Sequence, residues 1–431
     1  MPEKWAFIAT CDLVAHVRGR SAPYQQLIER ESGVGWVPAD LAMSAFGTVA
    51  SPNAFGALGD LRLIPAFSTA VTIAAEKTER EPAIFILANQ RNSDGTPWES
   101  CPRSFLENAI EQLKESCSIE ILASFEHEFV LTNADGTHIG GLPFGFDAYR
   151  NVEEFSSTLI AELSSNGFEP ESFLPEYGSG QFEVTIAPAP ALIAADRAII
   201  LREIVRDTAK RVGLRATFAP LVSPDSVGNG VHVHFSLWRD GQAITYDESA
   251  PAGLSALAMN ACAGILKHAE ALIALTASSQ ISFLRLQPHR WSAGGICIAK
   301  ENREALLRIC PQIKIANHNP SKSFNIEYRA ADATANPWIV LGSLIHAMRT
   351  GLEANLILDQ VIDSEIEGIE GVRPLPVNLE HALSFLEKDV VVQSWFDPIL
   401  LSTFLGIRAS EAHELVDLTP AERCTRYVIV Y

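Results

Sequence analysis

The stretch at residues 124–129 reads SFEHEF, with charged and apolar side chains in alternation. Side chains two residues apart on a β-strand point to the same face. Glu126 and Glu128 would therefore share one face of a strand, and Phe125 and Phe129 would share the other. Neighbouring carboxylates repel each other unless a cation lies between them. The pattern predicts a half-buried strand whose polar face meets a cation, and a divalent metal ion is the simplest choice.

Three later stretches repeat this arrangement, at residues 181–183 (QFE), 232–234 (HVH) and 327–329 (EYR). In each, polar side chains at the first and third positions share a face, and an apolar residue lies between them. Carboxylates with a single imidazole and no thiolate suit Mg²⁺ or Mn²⁺ better than Zn²⁺. Six such ligands are too many for one Mg²⁺ ion that keeps its waters. We therefore predict two or more ions, held by Glu126, Glu128, Glu176, Glu183, His232 and Glu327.

The composition limits the class of protein. The chain has 431 residues, 47% of them apolar, which is enough for two cores or one large one. A formal net charge of −19 argues against nucleic acid or an anionic membrane as partner, since both need a basic surface. The seven cysteines are scattered and include no CxxC pair, which is typical of a reducing cytosol. Without a signal-peptide pattern, we expect a cytoplasmic protein.

The order of predicted elements favours an α+β fold. We place a domain boundary near residue 102, which gives a smaller domain (1–101) and a larger one (102–431). In the larger domain the predicted strands bring their polar faces to one cleft. The apolar segment from Leu254 to Thr276 predicts one long buried helix, because its polar residues argue against a membrane span. Residues 284–308 predict a loop region rich in arginine.

Four arginines lie downstream of the first metal-binding stretches. Guanidinium groups fit the oxygens of phosphate and carboxylate in bidentate fashion. Several metal ions facing several arginines provide the positioning and charge neutralisation that phosphoryl transfer needs. Each motif taken singly is common on solvent-facing strands, so only their joint occurrence favours a metal-dependent phosphoryl-transfer enzyme. The arginines are Arg285, Arg303, Arg308 and Arg329.

The same stretches, in the same order, resemble the glutamine synthetase family. SFEHEF resembles the ExEF strand of that family, and EYGSGQFE at residues 176–183 resembles its E…GQxE segment. GNGVHVHFSL at residues 228–237 resembles its GxGxHxHxSL segment. The resemblance runs from about residue 60 to residue 350 and is weak in the N-terminal region. It continues through Asn302-Arg303, Arg308, Glu327-Tyr328-Arg329, Asp332 and Ala335-Asn336-Pro337.

This resemblance implies a fold, an assembly and a reaction. The fold would be a small N-terminal β-grasp-like domain and a large catalytic domain, in which helices surround a curved antiparallel sheet lining the active-site cleft. The assembly would be stacked hexameric rings with active sites between neighbouring subunits. The enzyme would use ATP to activate a carboxylate, normally the γ-carboxylate of glutamate. Ammonia or an amine would then attack the acyl phosphate.

The resemblance also implies roles for individual residues. One metal ion would be held by Glu128, Glu176 and Glu183, and the other by Glu126, His232 and Glu327. Arg303 would stabilise the transferring phosphoryl group. Contacts with ATP would come from His234, Ser236 and Arg308, with Glu171 a weaker candidate. The carboxylate substrate would bind Arg285 and Arg329, with backbone contacts from Gly228.

Three departures from the family pattern matter for function, and the first two concern the ammonium site. The Asp-Gly-Ser-Ser loop is absent; residues 35–42 read GWVPADLA, in which Asp40 is the one possible substitute. Trp291 stands where the family has an acid, six residues beyond Arg285, and Val227 replaces an asparagine that contacts glutamate. An ammonium pocket needs anions to gather NH₄⁺ and take its proton. A large aromatic ring instead favours a bulkier or less charged amine.

The sequence therefore predicts a γ-glutamyl-amine ligase whose amine is larger than ammonia. Two alternatives remain open at this point. The first is an ammonia-using glutamine synthetase with a rearranged ammonium site. The second is a catalytically silent relative with a structural or regulatory role. Trp291 has its own alternative, a core aromatic in a remodelled flap without substrate contact, and Val227 leaves open whether the acyl substrate is glutamate.

Overall fold

The computed structural model describes residues 3–431 except 52, 57–58, 74–81, 313–314 and 316–318. The strands of this part are β1 (Trp5–Cys11), β2 (Val17–Pro23), β3 (Val34–Trp36), β4 (Leu61–Pro65), β5 (Val71–Ile73), β6 (Ala83–Asn92), β7 (Glu120–Asn133), β8 (Pro170–Pro175), β9 (Gln181–Ile186), β10 (Ala189–Pro190), β11 (Leu214–Thr217), β12 (Val231–Arg239), β13 (Gln242–Ala243), β14 (Gly295–Lys300), β15 (Ala305–Ile309) and β16 (Ile326–Tyr328). The helices are α1 (Tyr24–Arg30), α2 (Pro102–Cys117), α3 (Phe146–Asn151), α4 (Glu153–Ser165), α5 (Ala191–Arg211), α6 (Ala256–Lys267), α7 (Ala269–Thr276), α8 (Ser282–Arg285), α9 (Pro320–Ser323), α10 (Pro337–Glu353), α11 (Leu379–Leu386), α12 (Val390–Gln393), α13 (Pro398–Glu414) and α14 (Pro420–Val430).

In the part of the chain that the structure describes, the N-terminal region is a small sheet with one α-helix. Within the described residues it has six strands in the order β2-β1-β6-β4-β3, with β5 also pairing with β6. The β1–β6 pair is parallel and the other pairs are antiparallel. Alternate side chains of β1, β4 and β6 form a small core that Leu27 of α1 closes. This arrangement agrees with the predicted β-grasp-like domain.

A larger sheet forms the floor of the second part. It has ten strands among the described residues, seven of them in the order β14-β15-β16-β12-β7-β9-β8. Its pairs are antiparallel except β14–β15, which is parallel, so the predicted antiparallel sheet is correct apart from this edge. The register places Glu126 opposite His232, Glu128 opposite Glu183, and His234 opposite Glu327.

Helices cover the apolar face of this sheet. Phe125 and Phe129 of β7 are buried, as are Val233 of β12 and Tyr328 of β16. Helix α5 packs on β7, and α10 packs on α2, α5 and α6. Nearly every residue of α10 is buried, and the Asn336 side chain caps its N-terminus by accepting from two backbone N–H groups. Because helices occupy this face, the polar face carrying the four motifs is left free to line a cleft.

Two predicted elements differ from the structure. The single helix predicted over residues 254–276 is wrong: the segment forms α6 and α7, which meet at the buried His268. The His268 Nδ1 atom lies 2.6 Å from an Asp389 carboxylate oxygen. The loop predicted over residues 284–308 is also wrong, because it contains β14 and β15. No helix in the described ranges is long and apolar enough to cross a membrane.

Helices α6 and α10 cross at two glycines. A Cβ atom added to Gly264 would collide with the backbone of α10 at the Ala347 carbonyl. A Cβ atom on Gly351 would collide with the Asn260 carbonyl of α6. The two helix backbones therefore touch directly, and only glycine allows this approach.

The loop that follows β1 is tied to the larger part of the chain by three buried side chains. Arg202 donates to the Ala15 carbonyl over 3.0 Å, and Arg408 donates to the Leu13 carbonyl over 2.8 Å. The Asn336 amide donates to the carbonyls of Cys11 and Asp12 over 3.0 and 2.9 Å. These bonds fix the end of β1 against the helices behind the large sheet.

Candidate active site

The first predicted metal group comes together on the polar face. Glu128, Glu176 and Glu183 each present a carboxylate oxygen, and these atoms lie within 4.8 Å of one another. Glu128 and Glu183 face each other across β7 and β9. Glu176 follows β8, where its backbone N–H donates to the Gln181 carbonyl over 2.8 Å. The tight turn at residues 176–181 therefore brings the third carboxylate beside the first two.

The carboxylates of this group repel one another. Burial, together with the charges of Glu126, Glu128 and Glu176, raises the pKa of Glu183 to about 11. Burial likewise raises the pKa of Glu128 to about 8, although the Gly230 N–H donates to its carboxylate over 2.5 Å. Burial also raises the pKa of Glu176. Three oxygen donors with this need for positive charge fit a hard divalent ion such as Mg²⁺ or Mn²⁺.

A second group lies next to the first. Glu126, His234 and Glu327 present ligand atoms within 4.8 Å of one another. His232, the predicted ligand, contacts the same carboxylates: its Nδ1 atom is 2.9 Å from Glu126 and 3.5 Å from Glu327. His234, predicted to contact ATP, has its Nε2 atom 3.4 Å from Glu126. Both histidines of the HVH motif therefore face this group, whose oxygen and nitrogen donors also fit Mg²⁺ or Mn²⁺.

The second group is neutralised by side chains. Burial would raise the pKa of Glu327, but Arg329, His232 and His234 lower it to about 2. Arg308 donates to Glu327 over 2.8 Å, and Arg329 pairs with the other oxygen of the same carboxylate. Burial would also raise the pKa of Glu126, but hydrogen bonds with both histidines hold it well below its ordinary value. The two groups therefore differ in charge balance.

The arginines predicted to bind the carboxylate substrate are both buried. Arg285 donates to the backbone carbonyls of Ala330 and Ala331. It packs so closely on Gly228 that a Cβ atom at that position would collide with its side chain. Arg329 donates to the Arg303 carbonyl over 2.7 Å and to the Trp291 carbonyl over 3.1 Å. Arg329 thus joins Glu327 to the segment that carries Arg303 and Trp291.

Trp291 is 64% exposed, so the alternative that it is a core aromatic is wrong. Its ring stacks on Tyr177, with centroids 6.1 Å apart and planes 16° apart. Tyr177 is itself 58% exposed and follows the metal-group residue Glu176. The backbone of Trp291 has φ of 56°, a left-handed conformation that a tryptophan rarely adopts. The stacked pair therefore stands at the rim of the metal groups and faces solvent.

Other predicted residues lie at varying distances from the two groups. Ser236 lies two residues beyond His234 on β12 and accepts from the Trp238 indole N–H over 2.9 Å. Glu171 is exposed on β8 and belongs to neither group. Asp40 lies in the turn Pro38–Ala42 of the N-terminal part, also outside both groups.

Sequence reasoning missed two features of the site. Cys310 lies 3.6 Å from His234 and 4.0 Å from Glu327. It stands two residues after Arg308, a spacing that could have placed both on one face. The motif at residues 176–183 predicts no role for Gln181, yet its amide donates to the Gly228 carbonyl over 2.8 Å and holds that turn in place.

Comparison with known proteins agrees with this geometry. Residues 99–427 match the family model "Glutamine synthetase, catalytic domain", and residues 4–98 match "Glutamine synthetase N-terminal domain". A gamma-glutamylpolyamine synthetase of Streptomyces coelicolor is 31% identical, over 94% of this chain and 89% of the relative. The glutamine synthetase of Methanocaldococcus jannaschii is 29% identical, over 82% of this chain and 79% of the relative.

The matches to solved structures indicate the same family. One described as a novel glutamine synthase homolog is 37% identical, with a TM-score of 0.93, and the match covers 100% of this chain and 99% of that one. A complex of GmaS with ADP is 24% identical, with a TM-score of 0.84 over 98% and 96% of the two chains, and supports the fold alone. The chain therefore belongs to the glutamine synthetase family and is an ATP-dependent ligase of the acid–amine, carbon–nitrogen bond-forming class.

Proposed function

We propose that this enzyme forms a γ-glutamyl amide from glutamate and an amine larger than ammonia. One observation carries the proposal: an exposed Trp291, stacked on Tyr177, stands where the family has an acid, and Arg329 ties its backbone to Glu327. An aromatic ring offers an alkyl amine a surface to pack on, but it supplies no anion to gather NH₄⁺. The gamma-glutamylpolyamine synthetase among the relatives supports the same substrate class.

The reaction would proceed in two steps. A γ-carboxylate oxygen of glutamate attacks the terminal phosphorus of ATP, which forms the acyl phosphate and releases ADP. The amine nitrogen then attacks the acyl carbon, inorganic phosphate leaves, and the nitrogen loses a proton. Both steps need positioning and charge neutralisation more than covalent work by the protein.

The two carboxylate groups would hold the metal ions of this reaction. One ion fits Glu128, Glu176 and Glu183, and the other fits Glu126 and Glu327 with a histidine of the HVH motif. Divalent ions at these positions would neutralise phosphate oxygens during transfer. Direct metal titration distinguishes Mg²⁺ from Mn²⁺ at these positions.

Arginine side chains would position the two charged substrates. Arg308, held by Glu327, would contact ATP together with His234 and Ser236. Arg303 is exposed at the rim, where it would stabilise the transferring phosphoryl group. Arg285 and Arg329 would bind the carboxylates of glutamate, because a guanidinium group pairs with a carboxylate through two parallel hydrogen bonds.

We also propose that the chain assembles as stacked hexameric rings with active sites at subunit contacts. Three large apolar residues support a contact surface, because Leu142, Phe144 and Phe146 are 71%, 55% and 76% exposed within five residues of chain. Light scattering during gel filtration would give the mass of the assembly. A monomer at micromolar concentration would contradict this part of the proposal.

The substrate proposal is tested with ATP, glutamate, a divalent metal ion and a panel of amines that includes ammonium. Phosphate release measures turnover, and mass spectrometry of the product identifies the amide. We expect alkyl amines to support turnover much better than ammonium does. If ammonium alone is used, the enzyme is a glutamine synthetase with a rearranged ammonium site and the proposal fails.

A further inference from the structure

A buried cavity lies on the helix-covered face of β7, behind the two metal groups. It leaves about 10 Å³ for the centre of a water molecule, which is room for one. All ten of its lining residues are buried, and three of them are polar: His127, Arg202 and Asp332, none more than 2% exposed. The cavity therefore brings three polar side chains to one buried space. Its apolar members are Phe125, Val231, Ala331, Ala333, Ala335, Pro337 and Val340.

Two of these polar side chains have a buried atom that no described residue satisfies. The Oδ1 atom of Asp332 accepts from the backbone N–H and the hydroxyl of Thr334, but its Oδ2 atom has no partner among the described residues. Arg202 donates through its two terminal nitrogens to the carbonyls of Ala333 and Ala15, but its Nε–H group has no partner there either. Buried polar groups in native proteins are normally paired with the protein or with an ordered water.

The hydrogen-bonding groups around the cavity match one water molecule. The Nδ1 atom of His127 lies 3.2 Å from the Phe125 carbonyl, which can only accept, so the proton of a neutral ring is on Nδ1 and Nε2 is an acceptor. The cavity then offers two acceptors, on His127 and Asp332, and one donor, on Arg202. A water molecule donates two hydrogens and also accepts, which satisfies all three. An ammonium or metal ion could not accept from Arg202, and a halide ion could not donate to Asp332.

Asp332 lies next to the backbone that holds Arg285, the buried arginine expected to bind the carboxylate substrate. The Arg285 side chain donates to the carbonyls of Ala330 and Ala331, the two residues that precede Asp332. Burial lowers the pKa of Arg285, and the negative charge of Asp332 is the strongest influence that opposes this lowering. The position and the charge of Asp332 therefore both act on Arg285.

We propose that one buried water molecule joins His127, Arg202 and Asp332, and that Asp332 so held positions Arg285 for the carboxylate substrate. This inference rests on the proposed function for the role of Arg285. Asp332 is a positioning residue, because it acts on the substrate only through Arg285. The water ties Asp332 to the strand that carries the metal-group carboxylates and to helix α5, so the substrate arginine and the metal groups keep a fixed relation.

A high-resolution crystal structure tests the water directly. We expect density for one water molecule within hydrogen-bonding distance of all three polar side chains. H127F removes the Nε2 acceptor, whereas H127Q keeps a polar group of similar reach. The water should be lost in H127F and kept in H127Q. A cavity without density in the unmodified enzyme overturns the proposal.

Steady-state kinetics tests the positioning of Arg285. Hydroxylamine, a small nucleophile that is largely uncharged at neutral pH, replaces the amine, so hydroxamate formation is measured at varied glutamate and varied ATP. D332N keeps the size of the side chain and removes its charge. The control D196N removes the charge of another buried carboxylate, on α5, that bonds Arg103 and Trp338 and does not line the cavity. Thermal midpoints show which variants are folded and how much stability each has lost.

We expect D332N to raise KM for glutamate about tenfold or more and to leave KM for ATP within about twofold, because Arg285 loses its position while the nucleotide contacts remain. H127F should raise KM for glutamate in the same direction, and H127Q should restore most of the difference. D196N should lower the thermal midpoint and leave both KM values within about twofold.

An unchanged KM for glutamate in folded D332N, or an equal rise in D196N, overturns the positioning role. If D332N does not fold, H127F and H127Q decide in its place, and equal KM values for glutamate in these two overturn the role. Absence of hydroxamate from glutamate in the unmodified enzyme overturns the proposed function and the role of Arg285 with it. In that case the density in the cavity still decides whether the water is present.

Discussion

Glu327 pairs with Arg308 and Arg329, lies 3.5 Å from His232, and is almost completely buried. Replacing it by glutamine removes the negative charge that compensates the two arginines and removes a metal-group oxygen. We expect E327Q to lose activity by at least about 100-fold through impaired metal binding. Phosphate release measures activity, and calorimetric metal titration measures binding.

The control for this prediction is E111Q, a change at an exposed glutamate of α2 outside both groups. It should bind metal like the unmodified enzyme. Circular dichroism of both variants shows whether they are folded. A folded E327Q protein with full activity would remove Glu327 from the metal group.

Cys310 is close enough to the second group to interfere with it when modified. Its sulfur lies 3.6 Å from His234 and 4.0 Å from Glu327, and the side chain is only partly buried. We expect iodoacetamide to inactivate the enzyme, because the added amide would occupy space beside these ligands. Mass spectrometry locates the modified residue, and ATP with Mg²⁺ should slow the reaction.

Two of the cysteines in the described residues are partly buried, Cys310 and Cys117. Matched variants show which of these two thiols is responsible for the inactivation. C310S should resist inactivation, while C117S should remain sensitive, because Cys117 lies at the end of α2. Equal sensitivity of C310S and the unmodified enzyme would refute the prediction.

At this scale the sequence predicted which side chains share a face, but not every contact they make. The alternation in SFEHEF and HVH is sufficient to place Glu126 with Glu128 and His232 with His234, because strand geometry is local. The Tyr177–Trp291 stack depends on a left-handed backbone at Trp291 and on a turn more than a hundred residues earlier. Such contacts between distant segments leave no periodic signal.

Among the elements, the crossing of α6 and α10 is the most sensitive to a small change. Gly264 contacts the backbone of α10 with no room for a methyl group. We expect G264A to lower the free energy of unfolding by roughly 2–4 kcal/mol, because the helices must move apart. Chemical denaturation measures the change.

Gly140 offers a matched control for this helix crossing. It has open space around the position of a Cβ atom and no positive φ. G140A should therefore change the free energy of unfolding by less than about 0.5 kcal/mol. Equal stability of G264A and G140A would show that the helices separate without cost.

The elements that sequence reasoning missed share a physical cause. The break between α6 and α7 falls at His268, whose partner Asp389 lies 121 residues further along the chain. Strands β14 and β15 pair with each other in parallel, and neither shows the alternation of polar and apolar residues found in β7, because most of their residues are buried. In both cases tertiary contacts decide what the local pattern leaves open.

For the whole molecule, we expect rising pH to lower the stability of the metal-free protein and divalent metal ions to raise it. The pKa of Glu128 is raised by burial from its ordinary 4.5 to about 8 in the folded protein. Because folding raises this pKa, the protonated Glu128 stabilises the folded protein, and its contribution is complete below about pH 4.5. The contribution is lost as the pH rises through about 8. We therefore expect metal-free protein to lose stability over this range, as measured by its thermal midpoint.

Divalent metal ions should reverse this loss. They replace the protons of Glu128 and Glu183, so metal affinity should rise with pH, roughly tenfold per unit for each proton released. Calorimetry in buffers of different ionisation enthalpy counts the released protons, and E183Q should release fewer than the control E111Q. A metal affinity independent of pH between 6 and about 8 would contradict the prediction.

The side chains of Arg202, Asn336 and Arg408 donate hydrogen bonds to the loop after β1. They therefore link the small sheet to the rest of the chain. A fragment lacking roughly the first hundred residues would lose these acceptors and would expose to water the part of the main core to which Leu13, Val14 and Leu41 belong. The catalytic portion therefore cannot be expected to survive excision as an autonomous folding unit. Insertions or fusions at that junction would have to leave the turn itself untouched.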